Sequence, residues 1–269
     1  MDGERFLVLT ELTPSASDKI KGMVLKTTTL ALILVLETLI TSTTLSSAQI
    51  SVRPNDDKFS ETARDNADQR TVLIDKELRK IKNHEWAGKY YYGNGLGVNV
   101  NLALAPKSGF VFTWRGCLGL YDLNYGEVRF ENGLVKLVFT YENEEGDFHG
   151  IAPEFYPVSW GERHYLIPSD EVVRFCNAVN SGAEPCNVFC SRFLLRVGDR
   201  ARHVEGQPSI PSEFSQYLLA EPILANIVTV ERNYINTDAI DPELKFRISE
   251  VTLDAGLADG ILLGMELHS

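Results

Sequence analysis

The sequence predicts a mainly β (α+β) protein: a small barrel or sandwich of antiparallel strands with one inserted helix and an N-terminal helix, followed by a small C-terminal β module. Three observations carry this. From Trp86 onward apolar and polar residues alternate at period two, as in half-buried strands. Turn residues punctuate that alternation at short intervals, which suits a sandwich or small barrel. Helical spacing of apolar residues is confined to two places, before Trp86 and after Pro168.

The stretch from Ser51 to Asn83 is polar, with Leu73, Ile74, Leu78 and Ile81 at helical spacing, so a linker and then an amphipathic helix over 69–83 are expected. Gly88 to Tyr92 is the first strand. In Leu96 to Ala105, Val98, Val100, Leu102 and Leu104 alternate with Asn99, Asn101, Ala103 and Ala105. Pro106 to Gly109 is a turn, Phe110 to Trp114 a strand, Tyr121 to Gly126 another turn and Glu127 to Phe130 the next strand. Asn132-Gly133 supplies the positive φ angles of a type I′ hairpin, which Leu134 to Tyr141 closes.

Tyr156 to Trp160 and Arg163 to Ile167 follow as short strands. Ser169 or Asp170 caps a helix running to Asn180, with Val172, Val173, Cys176 and Val179 as its buried stripe. Arg192 to Val197 completes the main β domain, 85–200. A linker at 201–210 leads to the C-terminal module, 211–269, with a short helix from Ser212 to Leu219. Its strands are Ile223 to Glu231, Leu244 to Leu253 and Ile261 to Leu267.

The N-terminal part carries an export leader that begins at the second methionine. Met23 to Lys26 is a basic start, Leu30 to Leu36 an apolar stretch, and Ser46-Ser47-Ala48 a run of small residues where a signal peptidase cuts. The apolar run falls short of the roughly 20 residues a bilayer span needs, and Glu37 interrupts its extension. The expectation is a cleaved signal over 23–48 and a periplasmic or extracellular protein; the alternative is a membrane anchor formed by the uncleaved leader. Residues 1–22, acidic through Asp2, Glu4 and Glu11, have the wrong sign for a leader's start and read as an extension whose place in the protein is doubtful.

A formal charge of −11 and the lack of any basic run argue against a nucleic-acid partner. Cys117, Cys176, Cys186 and Cys190 are disulfide candidates in an exported chain, with free thiols and a zinc site at Cys186-x-x-x-Cys190 as rival readings. The glycine-rich Gly93 to Gly97 precedes a strand rather than a helix, which excludes a dinucleotide fingerprint. Asp122 and Asn124, two residues apart before Gly126, form the front half of a calcium loop without its distal glutamate. His149, Glu154, His164 and Asp170 are the candidate acid–base groups, although no catalytic motif organises them. Trp86, Tyr91, Trp114 and Tyr121 are the candidates for an aromatic ligand pocket, weighed against a role in the core. No cofactor is expected.

Three segments carry a resemblance: Glu85 to Tyr91, Trp114 to Asp122, and Trp160 to Pro168 continuing into Phe175 to Asn180. Together they are similar to a bacterial family of exported proteins with no assigned function, which implies a bacterial source and brings no activity. Val251 to Gly256, with Asp259-Gly260 and Gly264-Met265, resembles a glycine-turn β motif of bacterial envelope modules, which normally runs on into another strand. The functional expectation is non-catalytic binding of a small ligand or an envelope partner. An exported hydrolase built on the carboxylate and histidine groups, or a structural envelope component, is the alternative.

Overall fold

The computed structural model describes residues 5–11, 59–93, 95, 97–117, 119–143, 151–185, 192–237 and 245–267. The leader, His149, Cys186 and Cys190 lie outside these residues. In chain order the elements begin with β1 (Arg5–Glu11), α1 (Glu61–Leu78), β2 (Gly88–Gly93), β3 (Asn99–Ala105) and β4 (Gly109–Gly116). They continue through β5 (Gly119–Glu131), β6 (Leu134–Tyr141), β7 (Glu154–Trp160), β8 (Arg163–Pro168), α2 (Val172–Asn180) and β9 (Leu194–Arg196) to β10 (Ile227–Thr237) and β11 (Lys245–Leu253).

Strands β2 to β9 pair antiparallel in sequence order and close into an eight-stranded barrel. Closure comes from β9, where Arg196 lies opposite Tyr90 and Leu195 opposite Tyr91 of β2. The predicted two-residue turn forms: Glu131 pairs with Leu134, and Asn132 and Gly133 take φ angles of 53° and 78°. Separately, β1, β11 and β10 form a small sheet in that order. Its β1 lies within the acidic extension, where the apolar run Phe6 to Leu9 is a strand signal that the charge argument passed over.

Side chains of one parity fill the barrel. Leu102, Leu104, Phe110, Phe112, Phe155, Leu166 and Leu194 form its interior core. A side chain of this size contributes about 1.5–3 kcal/mol when fully buried. The opposite parity faces outward, and two helices cover part of it. Helix α1 lays Ala63, Ala67 and Ile74 on Val111, Leu123 and Tyr125. Helix α2 lays Val172, Phe175 and Cys176 on Val158, Tyr165, Ile167 and Phe193.

Several elements depart from the sequence expectation. Helix α1 starts eight residues before Gln69 because the Ser60 hydroxyl accepts the Ala63 N–H at 3.2 Å and caps it there. The expected turn at Tyr121 to Gly126 lies within the first half of the long strand β5, paired with β4 from Asp122 to Gly126, with Tyr121 at a register shift. Its Asp and Asn side chains bond to one another and to a distant asparagine instead of closing a local turn. Lastly, Ile261 to Leu267 is irregular rather than a strand. Asn177 Nδ2 donates to the Gly264 carbonyl at 2.8 Å, and Gly260 and Gly264 take φ angles of 93° and 92°.

Helix α1 is locked to the β3–β4 turn by two charged residues. The Glu77 carboxylate accepts the Lys107 N–H at 3.0 Å, the Ser108 N–H at 2.8 Å and the Ser108 hydroxyl at 2.7 Å. Arg70 Nη1 donates to the Ser108 carbonyl at 3.0 Å and to the Gly126 carbonyl at 2.9 Å, and the guanidinium lies over the Tyr125 ring. Gly109, at φ +79°, makes room for this: a Cβ there would collide with the Gly126 carbonyl and press on Arg70. Replacing Glu77 with Ala is expected to cost about 1–3 kcal/mol, since charged-group hydrogen bonds are lost. Urea denaturation measures this, and hydrogen exchange along α1 should quicken. An unchanged midpoint with unchanged exchange would contradict the docking role.

Candidate functional site

The four aromatic candidates do not converge. Trp86 precedes β2 and plugs one end of the barrel, its ring edge-on to His84 at 4.8 Å and tilted against Phe130 at 5.9 Å. Trp114 sits near the other end, at the close of β4, edge-on to Tyr121 at 5.9 Å. The Tyr91 hydroxyl donates to Asn99 Oδ1 at 2.7 Å on the neighbouring strand. These rings pack the barrel and its rims rather than wall a shared cavity.

Asp122 and Asn124 lie opposite Trp114 and Phe112, so they share the interior-facing parity of β4. Both are buried, with Asp122 only 1% exposed. Asp122 Oδ1 accepts from Asn124 Nδ2 and from Asn143 Nδ2, each at 2.9 Å, while Asn124 Oδ1 accepts the Asn143 N–H at 2.8 Å. Two side-chain amide donors thus converge on one carboxylate oxygen. Among the described residues, no group of three or more His, Cys, Asp or Glu side chains is placed to hold a metal.

The acid–base candidates are dispersed as well. Glu154 pairs with Lys136 at 3.0 Å on the β6–β7 edge, and Asp170 approaches Arg192 at 3.5 Å ahead of α2. His164 instead meets Asp199, which lies 35 residues away and carries no motif that would select it. Its Nδ1 lies 2.8 Å from Asp199 Oδ2, which also accepts the His164 N–H at 2.9 Å, and Arg202 Nε reaches Oδ1 at 3.0 Å. The Asp199 side chain is 2% exposed. Ser159 stands opposite His164 on β7, yet no hydrogen bond joins its hydroxyl to the imidazole. Among the described residues, the aspartate–histidine pair has no nucleophile hydrogen-bonded to the imidazole.

Arg163 explains what this corner does. Its Nε and Nη2 donate to the carbonyls of Arg202 and Arg200 at 2.9 Å each, and Nη1 pairs with Glu184 at 2.6 Å. Trp160 Nε1 adds a bond to the Gly206 carbonyl at 2.8 Å, and the Ser209 N–H one to the Ser159 carbonyl at 2.7 Å. The chain from Asp199 to Ser209 is thereby strapped across the β7–β8 hairpin. The sequence pattern alone reads 201–210 as a linker.

The disulfide expectation is corrected for the described cysteines. Among them no disulfide forms: Cys117 is exposed at the β4–β5 connection, and Cys176 is a buried thiol between α2 and the barrel. Burial pushes the Cys176 thiol up to about 12, so it stays protonated and a poor nucleophile at neutral pH.

A concave surface lies between α1 and the outer face of the barrel. Arg64, Ala67, Asp68 and Thr71 line it from the helix at spacings of three and four, a single helical face. Val111, Thr113 and Arg115 line it from β4 at period two, and Leu120 and Leu123 from β5. The small Ala67 and Thr71 leave a cleft of about 150 Å³ where larger residues would have closed the seam. Its floor is apolar and its rim polar. Arg64 Nε is buried with no hydrogen-bond partner, and among the described residues neither the Arg64 nor the Arg115 guanidinium makes an ion pair. A register shift at Trp114/Arg115 sets the course of β4 where Arg115 leaves the strand.

No family model, curated protein or solved structure matches this chain.

The environment of Cys176 leads to a simple measurement. Native protein treated with iodoacetamide at pH 8 should leave Cys176 unmodified in a peptide map, and unfolding in guanidinium should expose it to complete labelling. Rapid labelling of Cys176 in the native state would contradict its placement.

Proposed function

We propose that this chain is an exported, non-catalytic barrel protein that binds a small ligand on its outer surface. The observation that carries the reading is the cleft between α1 and β4–β5. It combines apolar Ala67, Val111, Leu120 and Leu123 with two arginines that make no ion pair among the described residues, in a chain whose formal charge is −11. The cleft sets apolar side chains beside several convergent polar groups, the two kinds of contact a small-molecule site combines. Export is supported by the leader from Met23 to Ala48 and by the resemblance to exported bacterial proteins. The hydrolase alternative loses support, since Glu154 and Asp170 bond elsewhere and His164 faces a structural aspartate.

A second reading, pairing with an envelope protein, has one observation in its favour. Strand β10 lies at the edge of its sheet, and Ile227, Val228 and Val230 on it are exposed. Unpaired edges of that kind recruit further strands. The cleft is preferred because it presents a shaped site with chemically distinct walls.

A thermal-shift screen of the purified chain against metal ions, sugars, lipids, peptides and small carboxylic acids tests the proposal. A ligand at about 100 times its Kd adds about 2.7 kcal/mol to stability, so at least one small-molecule class should raise Tm by several degrees. A flat response to every small-molecule class would count decisively against small-ligand binding.

A further inference from the structure

We propose that the cleft between α1 and the barrel takes a compact monocarboxylate with an apolar body, its carboxylate held by Arg64 and Arg115. This rests on the small-ligand reading above and names the class of ligand. Arg64 supplies the first argument. Its Nε is buried and unpartnered, and leaving a buried donor of a charged group unmade is costly. The folded chain contains 37 acidic residues, yet none of those described pairs with this guanidinium. Arg115 enters the same cleft from the end of β4, also without an ion pair among the described residues.

Two guanidiniums present planar forks of donors, the geometry that matches a carboxylate. Thr71 and Thr113 add hydroxyls beside them. The Thr71 hydroxyl donates to the Ala67 carbonyl at 2.8 Å, which leaves its oxygen free to accept. Asp68, one helical turn from Arg64, stands on the same rim and disfavours a dianion such as phosphate. Ala67, Val111, Leu120 and Leu123 supply the floor against which an apolar body loses its water. At about 150 Å³ the space is similar to an engineered cavity that admits benzene. Size therefore points to a small aromatic or branched aliphatic acid rather than a long acyl chain.

Isothermal titration of the full chain at low salt tests the assignment, with benzoate and 3-methylbutanoate as probes. Benzamide, 3-methylbutanol and inorganic phosphate are the comparisons. Both carboxylates should bind, with each comparison compound at least about tenfold weaker, as expected for loss of a charge-assisted pair. Arg64→Gln and Arg115→Gln should each weaken carboxylate binding by about tenfold or more, and Arg129→Gln, exposed on β5, should leave it unchanged. If Arg64→Gln unfolds, Arg115→Gln still decides, because Arg115 is exposed at a strand end. Equal binding of the neutral analogues, tighter binding of phosphate, or full affinity in Arg115→Gln would each overturn the assignment. A sugar or peptide that binds while the carboxylates do not would overturn it and leave a binding role standing. Silence from every small molecule would remove both.

Discussion

The docking of α1 onto the β3–β4 turn is the constraint on which the rest of this surface depends. Glu77 and Arg70 grip Ser108 from opposite sides of its peptide, one accepting from its N–H and hydroxyl, the other donating to its carbonyl. Arg70 extends the grip to Gly126 on β5, so one side chain ties the helix to the β3–β4 turn and to the neighbouring strand. These bonds hold the C-terminal half of the helix. Its N-terminal half rests on small residues, Ala63 and Ala67, over Val111 and Leu123. A helix fixed firmly at one end and lightly packed at the other leaves a cleft along the light end. The positions of Arg64 and Thr71 follow from the same geometry.

The barrel interior has a different logic. Phe110, Phe112 and Phe155 fill it with apolar bulk, and the Asp122–Asn124–Asn143 cluster places buried polar groups against one another. A half-satisfied network there would be worse than an apolar core; with its donors and acceptors matched it fixes the pairing of distant segments. The strap from Asp199 to Ser209 works on the same principle at the β7–β8 hairpin, where Asp199 trades hydration for bonds from His164 and Arg202.

Much of the barrel was legible because β alternation is local. The Leu96 to Ala105 pattern and the Asn132-Gly133 turn mark strands and a hairpin within a few residues. Tyr121 to Gly126 was misread for an equally local reason: Asp, Asn and Gly are turn formers, and only Asn143, 19 and 21 residues away from Asn124 and Asp122, reveals that they are buried on a strand. His164 and Asp199 are 35 residues apart, so their pairing left no mark in the sequence. The cleft was half legible. Arg64, Ala67, Asp68 and Thr71 share a helical face, and Val111, Thr113 and Arg115 alternate, but the two patterns meet only through tertiary docking.

The central claim is that the α1 seam, and not the barrel interior or the His164 corner, receives a small carboxylate. A nitrogen–proton correlation spectrum of labelled protein titrated with benzoate measures this residue by residue. Saturable shifts should concentrate at 64–71, 111–115 and 120–123 and leave His164, Asp199 and the Arg163 strap in place. Shifts centred on His164 and Asp199, or a spectrum that benzoate does not move, would contradict the account.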